Sequence, residues 1–162
     1  MLPFFVYGTL LPGQPNHYLL RNAAMKMETA VFPHGLLFDM GNYPMMIEQP
    51  GKQVKGQLIT VDPSFYASVM ANLDTLEGYN PKQPTLSAYC RLQRLVKLGN
   101  GRSETAWMYL GQPKYVKGLP PIHSGDWAAH INLTLKQINN WWATINSVAG
   151  LHENKNNEQP SK

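Results

Sequence analysis

Five strand-like segments grouped around one clear helix constrain this chain most, because that grouping points to an α+β fold with a mostly antiparallel sheet. The clear helix starts at Asp62, a residue able to cap free amides, with Pro63 at the first helical position and Gly78 placed to end it. Its apolar stripe is Tyr66, Val69, Met70, Leu73 and Leu76. Pro3 to Tyr7 reads as a short buried strand that leaves at Gly8 for a tight loop. A short helix over His17 to Ala24 follows, then a strand over Thr29 to Phe38, bent or broken at Pro33 and Gly35. Val54 to Val61 is a further strand in which Gly56 marks a bulge or a close approach. Tyr89 to Leu98 and Thr105 to Leu110 flank Gly99-Asn100-Gly101 and predict a hairpin. A late helix over Leu133 to Val148 carries Trp141 and Trp142.

These elements predict one domain over residues 1–130, a C-terminal helix over 131–150 packed on it, and a polar, disordered tail over 151–162. The 162 residues suffice for one sizeable core, and at 15% charged residues the chain is neither a disordered polyelectrolyte nor a coiled coil. No signal peptide or membrane-spanning segment is expected. The single cysteine, Cys90, excludes an intramolecular disulfide and suits the cytoplasm; it reads as a buried, inert thiol. Seven basic residues face only Glu104 between Lys82 and Lys117, which raises nucleic acid as a partner. Strand alternation puts Arg91 and Lys97 on one face and Arg94 on the other, so no continuous basic strip forms, and nucleic-acid binding is not expected.

Few residues are placed for chemistry. Gly8-Thr9-Leu10-Leu11-Pro12-Gly13 has the glycine spacing of a phosphate-binding loop but continues with Gln14 and Pro15, where Lys and a hydroxyl residue are needed. What remains is a loop whose amides are able to bind a negative group, or an ordinary turn. Glu77 continues the helix stripe toward the core and sits at the helix C-terminus, where the macrodipole disfavours a carboxylate. Both circumstances would raise its pKa toward that of a useful acid/base; a surface ion pair or a loop-amide contact remains the other reading. Asp74, three residues earlier, is a solvated carboxylate, an alternative acid/base or a hydrogen-bonding partner. His123-Ser124-Gly125-Asp126 holds the residue types of a hydrolase triad, but neighbours in sequence do not form the relay. The five histidines lack metal-ligand spacing, so no metal and no cofactor are expected.

Two segments together, Phe5-Val6-Tyr7-Gly8-Thr9-Leu10 and Leu73-Asp74-Thr75-Leu76-Glu77-Gly78-Tyr79, resemble the paired signatures of the gamma-glutamyl cyclotransferase-like superfamily. Gly35-Leu36, Tyr43-Pro44, Val54-Lys55-Gly56, Tyr89-Cys90-Arg91 and Ala106-Trp107-Met108-Tyr109 agree with it in order, over about residues 4–127. The resemblance implies a small mixed, mostly antiparallel β-barrel flanked by helices, with a pocket between the Gly8 loop and the glutamate. It implies an enzyme, of transferase or lyase type, in which the α-amino group of a γ-glutamyl amine, amino acid or peptide attacks its own γ-carbonyl. The products are 5-oxoproline and a free amine. Glu77 matches the family's acid/base; Tyr7, Gly8, Thr9 and Leu10 match the substrate loop, and Tyr43 joins them as a substrate-binding residue. Such chemistry needs no protein nucleophile and no metal, because the substrate supplies the nucleophile. Thr9 stands where many members have Ser, and the late helix lies outside the common core, so the leaving group stays open. The alternative is a non-catalytic small-molecule-binding protein on the same fold; oligomeric state is not legible.

Overall fold

A computed structural model describes residues 1–137. The first strand, β1, is only Phe4–Val6, and all three residues are buried. It is followed by α1 (Tyr18–Arg21), β2 (Ala24–Phe32), β3 (Gly35–Asp39), β4 (Pro44–Glu48), β5 (Val54–Val61) and α2 (Tyr66–Leu76). After α2 come β6 (Tyr89–Leu98), β7 (Ser103–Gly111) and the two-residue β8 (Pro121–Ile122). Strands β1, β5, β2, β6 and β7 close a barrel in that order. Its neighbours are antiparallel except at the closure, where β1 runs parallel to β7 with Phe4 opposite Trp107. A second sheet has the order β4-β3-β8.

Burial on both faces of β1 explains the position of the core. Phe5 pairs with Leu58, and its ring lies over Gly56, where a Cβ would stand 2.8 Å from the ring and closer still to the Val6 carbonyl oxygen. Gly56 is therefore a close approach; the irregularity in this ladder lies in β2, between Ala24 and Lys26. Phe4 and Val6 point the other way by strand alternation. They join Ile59, Val61, Leu20, Val69 and Leu73 in one cluster that reaches Tyr89 and Tyr109. The α2 helix thus packs on the outer face of the barrel wall, and its C-terminal end is aimed at the start of β6 and the end of β7.

Several boundaries differ from the sequence reading. The expected single strand over Thr29 to Phe38 is two strands in different sheets, separated at Pro33 and His34. Helix α2 begins at Tyr66, because Asp62 spends its carboxylate on the turn before it, accepting from the Ser64 amide (2.7 Å) and hydroxyl (2.5 Å). The predicted hairpin forms as β6 and β7. Cys90 is half-buried rather than buried, with its thiol 3.4 Å from the Pro84 carbonyl oxygen. Residues 123–126 form a turn: Gly125 has φ +62, and its carbonyl accepts from the Lys55 amide at 2.8 Å.

By its internal contacts the chain divides into a unit of Met1–Trp127 and a second unit that starts at Ala128. Helix runs from 127 to 137, the last described residue, earlier than the expected start at Leu133. Trp141, Trp142 and the expected tail lie outside the described residues. Among the described residues no helix is long and apolar enough to cross a membrane.

Candidate active site

The C-terminal end of α2 is a complete Schellman turn with Glu77 at the cap. The Gly78 amide donates to the Thr75 carbonyl (3.2 Å) and the Tyr79 amide to the Asp74 carbonyl (2.8 Å). Gly78 makes the turn possible with φ +61, a conformation that other residues adopt only at a cost. The turn throws Glu77 sideways off the helix into a cavity of about 380 Å³.

The cavity brings together every predicted site residue: Tyr7, Gly8, Thr9, Leu10, Tyr43 and Glu77 all line it. Among the described residues Glu77 is the sole charged one in the lining. Among the described residues its carboxylate has no hydrogen-bond or ion-pair partner, so the reading as a surface ion pair does not hold. Burial without compensation pushes its pKa up to about 7. Tyr7 and Tyr89 face the same charge, and burial together with Glu77 holds both phenols well above their ordinary range, so they stay neutral. Their hydroxyls are committed elsewhere: Tyr7 donates to the Tyr109 carbonyl (2.8 Å) and Tyr89 to the Pro44 carbonyl (3.0 Å).

The loop after β1, which lines the same cavity, is held from within. The Leu11 amide donates to the Gly8 carbonyl (3.0 Å), and the Asn16 amide to the Thr9 carbonyl (2.9 Å). The Asn16 side-chain amide donates to Thr9 Oγ1 (3.0 Å), which leaves the hydroxyl proton of Thr9 available. The amides of Gly8, Thr9 and Leu10 donate to no protein group among the described residues. Gly8 is required for close packing: a Cβ there would lie 2.6 Å from Pro44 Cγ. The site therefore places a half-buried carboxyl in the same cavity as backbone and hydroxyl donors that are unused among the described residues.

Sequence reasoning missed part of the wall. Asn16, Tyr89, Trp107 and Tyr109 all line the cavity. Trp107 and Tyr109 are two apart on β7 and so share a face, a spacing visible in the sequence; that the face looks at α2 depends on the barrel closing. Asp74 is not a solvated carboxylate but a hydrogen-bonded one. Arg91 Nη1 contacts its two oxygens at 2.9 and 2.7 Å, and the Tyr109 hydroxyl donates to Oδ1 at 2.7 Å. No group of three His, Cys, Asp or Glu among the described residues could hold a metal ion.

Comparison with known proteins agrees with this architecture. The family model for gamma-glutamyl cyclotransferase, AIG2-like, matches residues 4–129. A gamma-glutamylcyclotransferase-family protein of Vibrio cholerae serotype O1 is 33% identical over 129 residues, 78% of this chain and 96% of its own. An AIG2-like protein from Mus musculus superimposes with a TM-score of 0.54 at 27% identity, covering 74% of this chain and 84% of that one. YkqA from Bacillus subtilis shares the fold with a TM-score of 0.62 at 24% identity; 83% of this chain is covered, but only 42% of YkqA. With the matched region holding both the β1 loop and the α2 cap that line the cavity, the chain belongs to the gamma-glutamyl cyclotransferase, AIG2-like family.

Proposed function

We propose that this protein cyclises a γ-glutamyl compound to 5-oxoproline, releasing the amine attached to the γ-carbonyl, with Glu77 as the catalytic residue. One observation carries the reading: a carboxyl with no partner among the described residues, held near neutral pKa, shares a cavity of substrate size with a loop whose amides are likewise unpaired among them. The α-ammonium of the substrate gives a proton to the Glu77 carboxylate, and the freed amine attacks the γ-carbonyl carbon. The C–O π electrons move onto oxygen, and donors of the Gly8, Thr9 and Leu10 segment stabilise that oxyanion or hold the substrate carboxylate. Collapse breaks the bond to the leaving nitrogen, which takes the proton from Glu77; the regenerated carboxylate then takes the second proton from the attacking nitrogen, leaving the lactam N–H, and passes it to the released amine, which departs as an ammonium. A pKa of about 7 leaves both protonation states accessible for these two transfers. No metal or cofactor enters the scheme, and the enzyme works in the cytoplasm on a small-molecule substrate.

Three of the seven basic residues between Lys82 and Lys117 are held in ion pairs: Arg91 with Asp74, Arg94 with Glu48 and Arg102 with Glu28. That pairing supports a small-molecule site over a nucleic-acid surface. Incubating the protein with a panel of γ-glutamyl amines, amino acids and peptides and measuring 5-oxoproline by mass spectrometry tests the proposal. Product from wild type and none from Glu77→Gln is the expected result. Tight binding of a panel member without turnover would favour the non-catalytic reading.

A further inference from the structure

Arg91 takes no part in the chemistry just described and does not line the cavity, yet it touches both ends of the turn that carries Glu77. Its Nη1 contacts the carboxylate of Asp74, the residue whose carbonyl closes the Schellman turn. Its guanidinium carbon lies 5.4 Å from the ring centroid of Tyr79, the residue whose amide closes the same turn. It also lies over the ring of Trp107, 5.1 Å from its centroid. Tyr109 completes the group, donating to Asp74 Oδ1 and meeting Tyr79 edge to face at 6.4 Å between centroids. Arg91 is on β6, and Trp107 and Tyr109 are on β7 and in the cavity wall. The cluster therefore bolts the Glu77 turn to the wall it faces.

We propose that Arg91 is a positioning residue for the cyclisation: it latches the Asp74–Tyr79 turn to β6 and β7 and thereby fixes where the Glu77 carboxyl stands in the cavity. The inference rests on Glu77 being the acid/base, but the latch itself has a readout that needs no substrate. A guanidinium is suited to this place, since its delocalised plane packs over aromatic rings while its N–H groups reach a carboxylate. Lysine keeps the charge and loses the stacked plane.

A structural latch and a purely electrostatic neighbour differ in sign. If Arg91 acted on Glu77 only through its charge, removing it would raise the Glu77 pKa, because a nearby cation favours the ionised form. If it holds the turn closed, removing it lets water reach the carboxyl, and the pKa falls from about 7 toward the ordinary 4.5. The other titratable groups that face Glu77, Tyr7 from the loop after β1 and Tyr89 from β6, stay neutral and do not confuse the signal.

The test compares Arg91→Met, which keeps apolar packing against the rings, and Arg91→Lys, after circular dichroism and thermal melting have established that each is folded. The Glu77 carboxyl is titrated by carbon NMR without substrate, assigned by its absence in Glu77→Gln. A downward shift in Arg91→Met is expected, with Arg91→Lys between it and wild type; an unchanged or raised value in both overturns the proposal. Should Arg91→Met fail to fold, Arg91→Lys alone decides by the same direction. With a turned-over γ-glutamyl substrate, kcat should fall at least about tenfold with KM nearly unchanged, because misplacement of a reacting group weakens catalysis more than binding. A loss confined to KM would make Arg91 a substrate contact and overturn the latch. If wild type turns over no γ-glutamyl substrate, the proposed function fails, while the NMR titration still judges the latch.

Discussion

Replacing Glu77 by Gln should stabilise the protein, and only above the acid range. Burial raises the folded-state pKa of this carboxyl from the ordinary 4.5 to about 7, so folding favours the protonated form. Below about pH 4.5 Glu77 is protonated in both folded and unfolded chains, and its ionisation costs the fold nothing. Between 4.5 and about 7 the unfolded chain ionises while the folded one resists, and stability is lost progressively as pH rises through that window. Above it the loss is complete. At about 1.4 kcal/mol per pH unit, the interval from 4.5 to about 7 amounts to about 3 kcal/mol. The neutral amide of the variant would keep the shape and carry no such penalty. Urea unfolding of wild type and Glu77→Gln should therefore give similar free energies near pH 4 and a variant more stable by about 3 kcal/mol above pH 8. In a thermal melt that is roughly 6–12 °C for a chain of this length. A difference that stays flat across the pH range would refute the reasoning, because it would mean that the charge on Glu77 is solvated or paired in the folded protein.

Further outcomes follow from the same site. The rate of 5-oxoproline formation should rise with pH through about 7, the region in which Glu77 becomes able to accept a proton, provided the measured step is chemistry. An N-acetylated γ-glutamyl substrate should not react, having lost the attacking nitrogen, and EDTA should leave turnover of the free substrate unchanged; mass spectrometry reads both. Gly8→Ala should lose roughly 1–3 kcal/mol in denaturant unfolding, because its Cβ would press on Pro44 at 2.6 Å. A γ-glutamyl 2-phenylethylamide should have a higher kcat/KM than γ-glutamyl phenylalanine, which differs from it only by a second carboxylate, since the cavity lining among the described residues holds no cation to receive one.

Local patterns in the chain carried much of the fold and the centre of the site. Glu77 was legible because the stripe of α2 and the stop at Gly78 are both local, and together they place a carboxyl on a core-facing helix end. The β6–β7 hairpin was legible for the same reason. The strand β4 was not: it opens with Pro44, which resembles turn chemistry, and is tolerated because it is the first residue of an edge strand. The separation of β2 from β3 was hidden too, since a proline and a glycine near a strand end look alike whether the chain bends or changes sheets. The cavity wall was the least accessible part. Tyr89, Trp107 and Tyr109 face α2 only because β1 pairs in parallel with β7, a contact between residues about a hundred positions apart that no local pattern encodes.

Asp74 and Glu77 show how one short helix end produces two carboxyls with different uses. They lie three residues apart, in a region where the helix dipole opposes negative charge and no basic residue occupies the last turn. Asp74 points to β6 and β7, where Arg91 and Tyr109 supply donors to its oxygens. Glu77 points into the cavity and receives none among the described residues. Had Arg91 reached Glu77, that carboxyl would be a well-stabilised anion, slow to give its proton to a leaving amine. Holding the cation at Asp74 ties the end of α2 to β6 and withholds the compensating charge from Glu77 at the same time. The cost of that withholding is the pH-dependent instability that Glu77→Gln should relieve, so the stability measurement and the rate measurement examine two consequences of a single geometric choice.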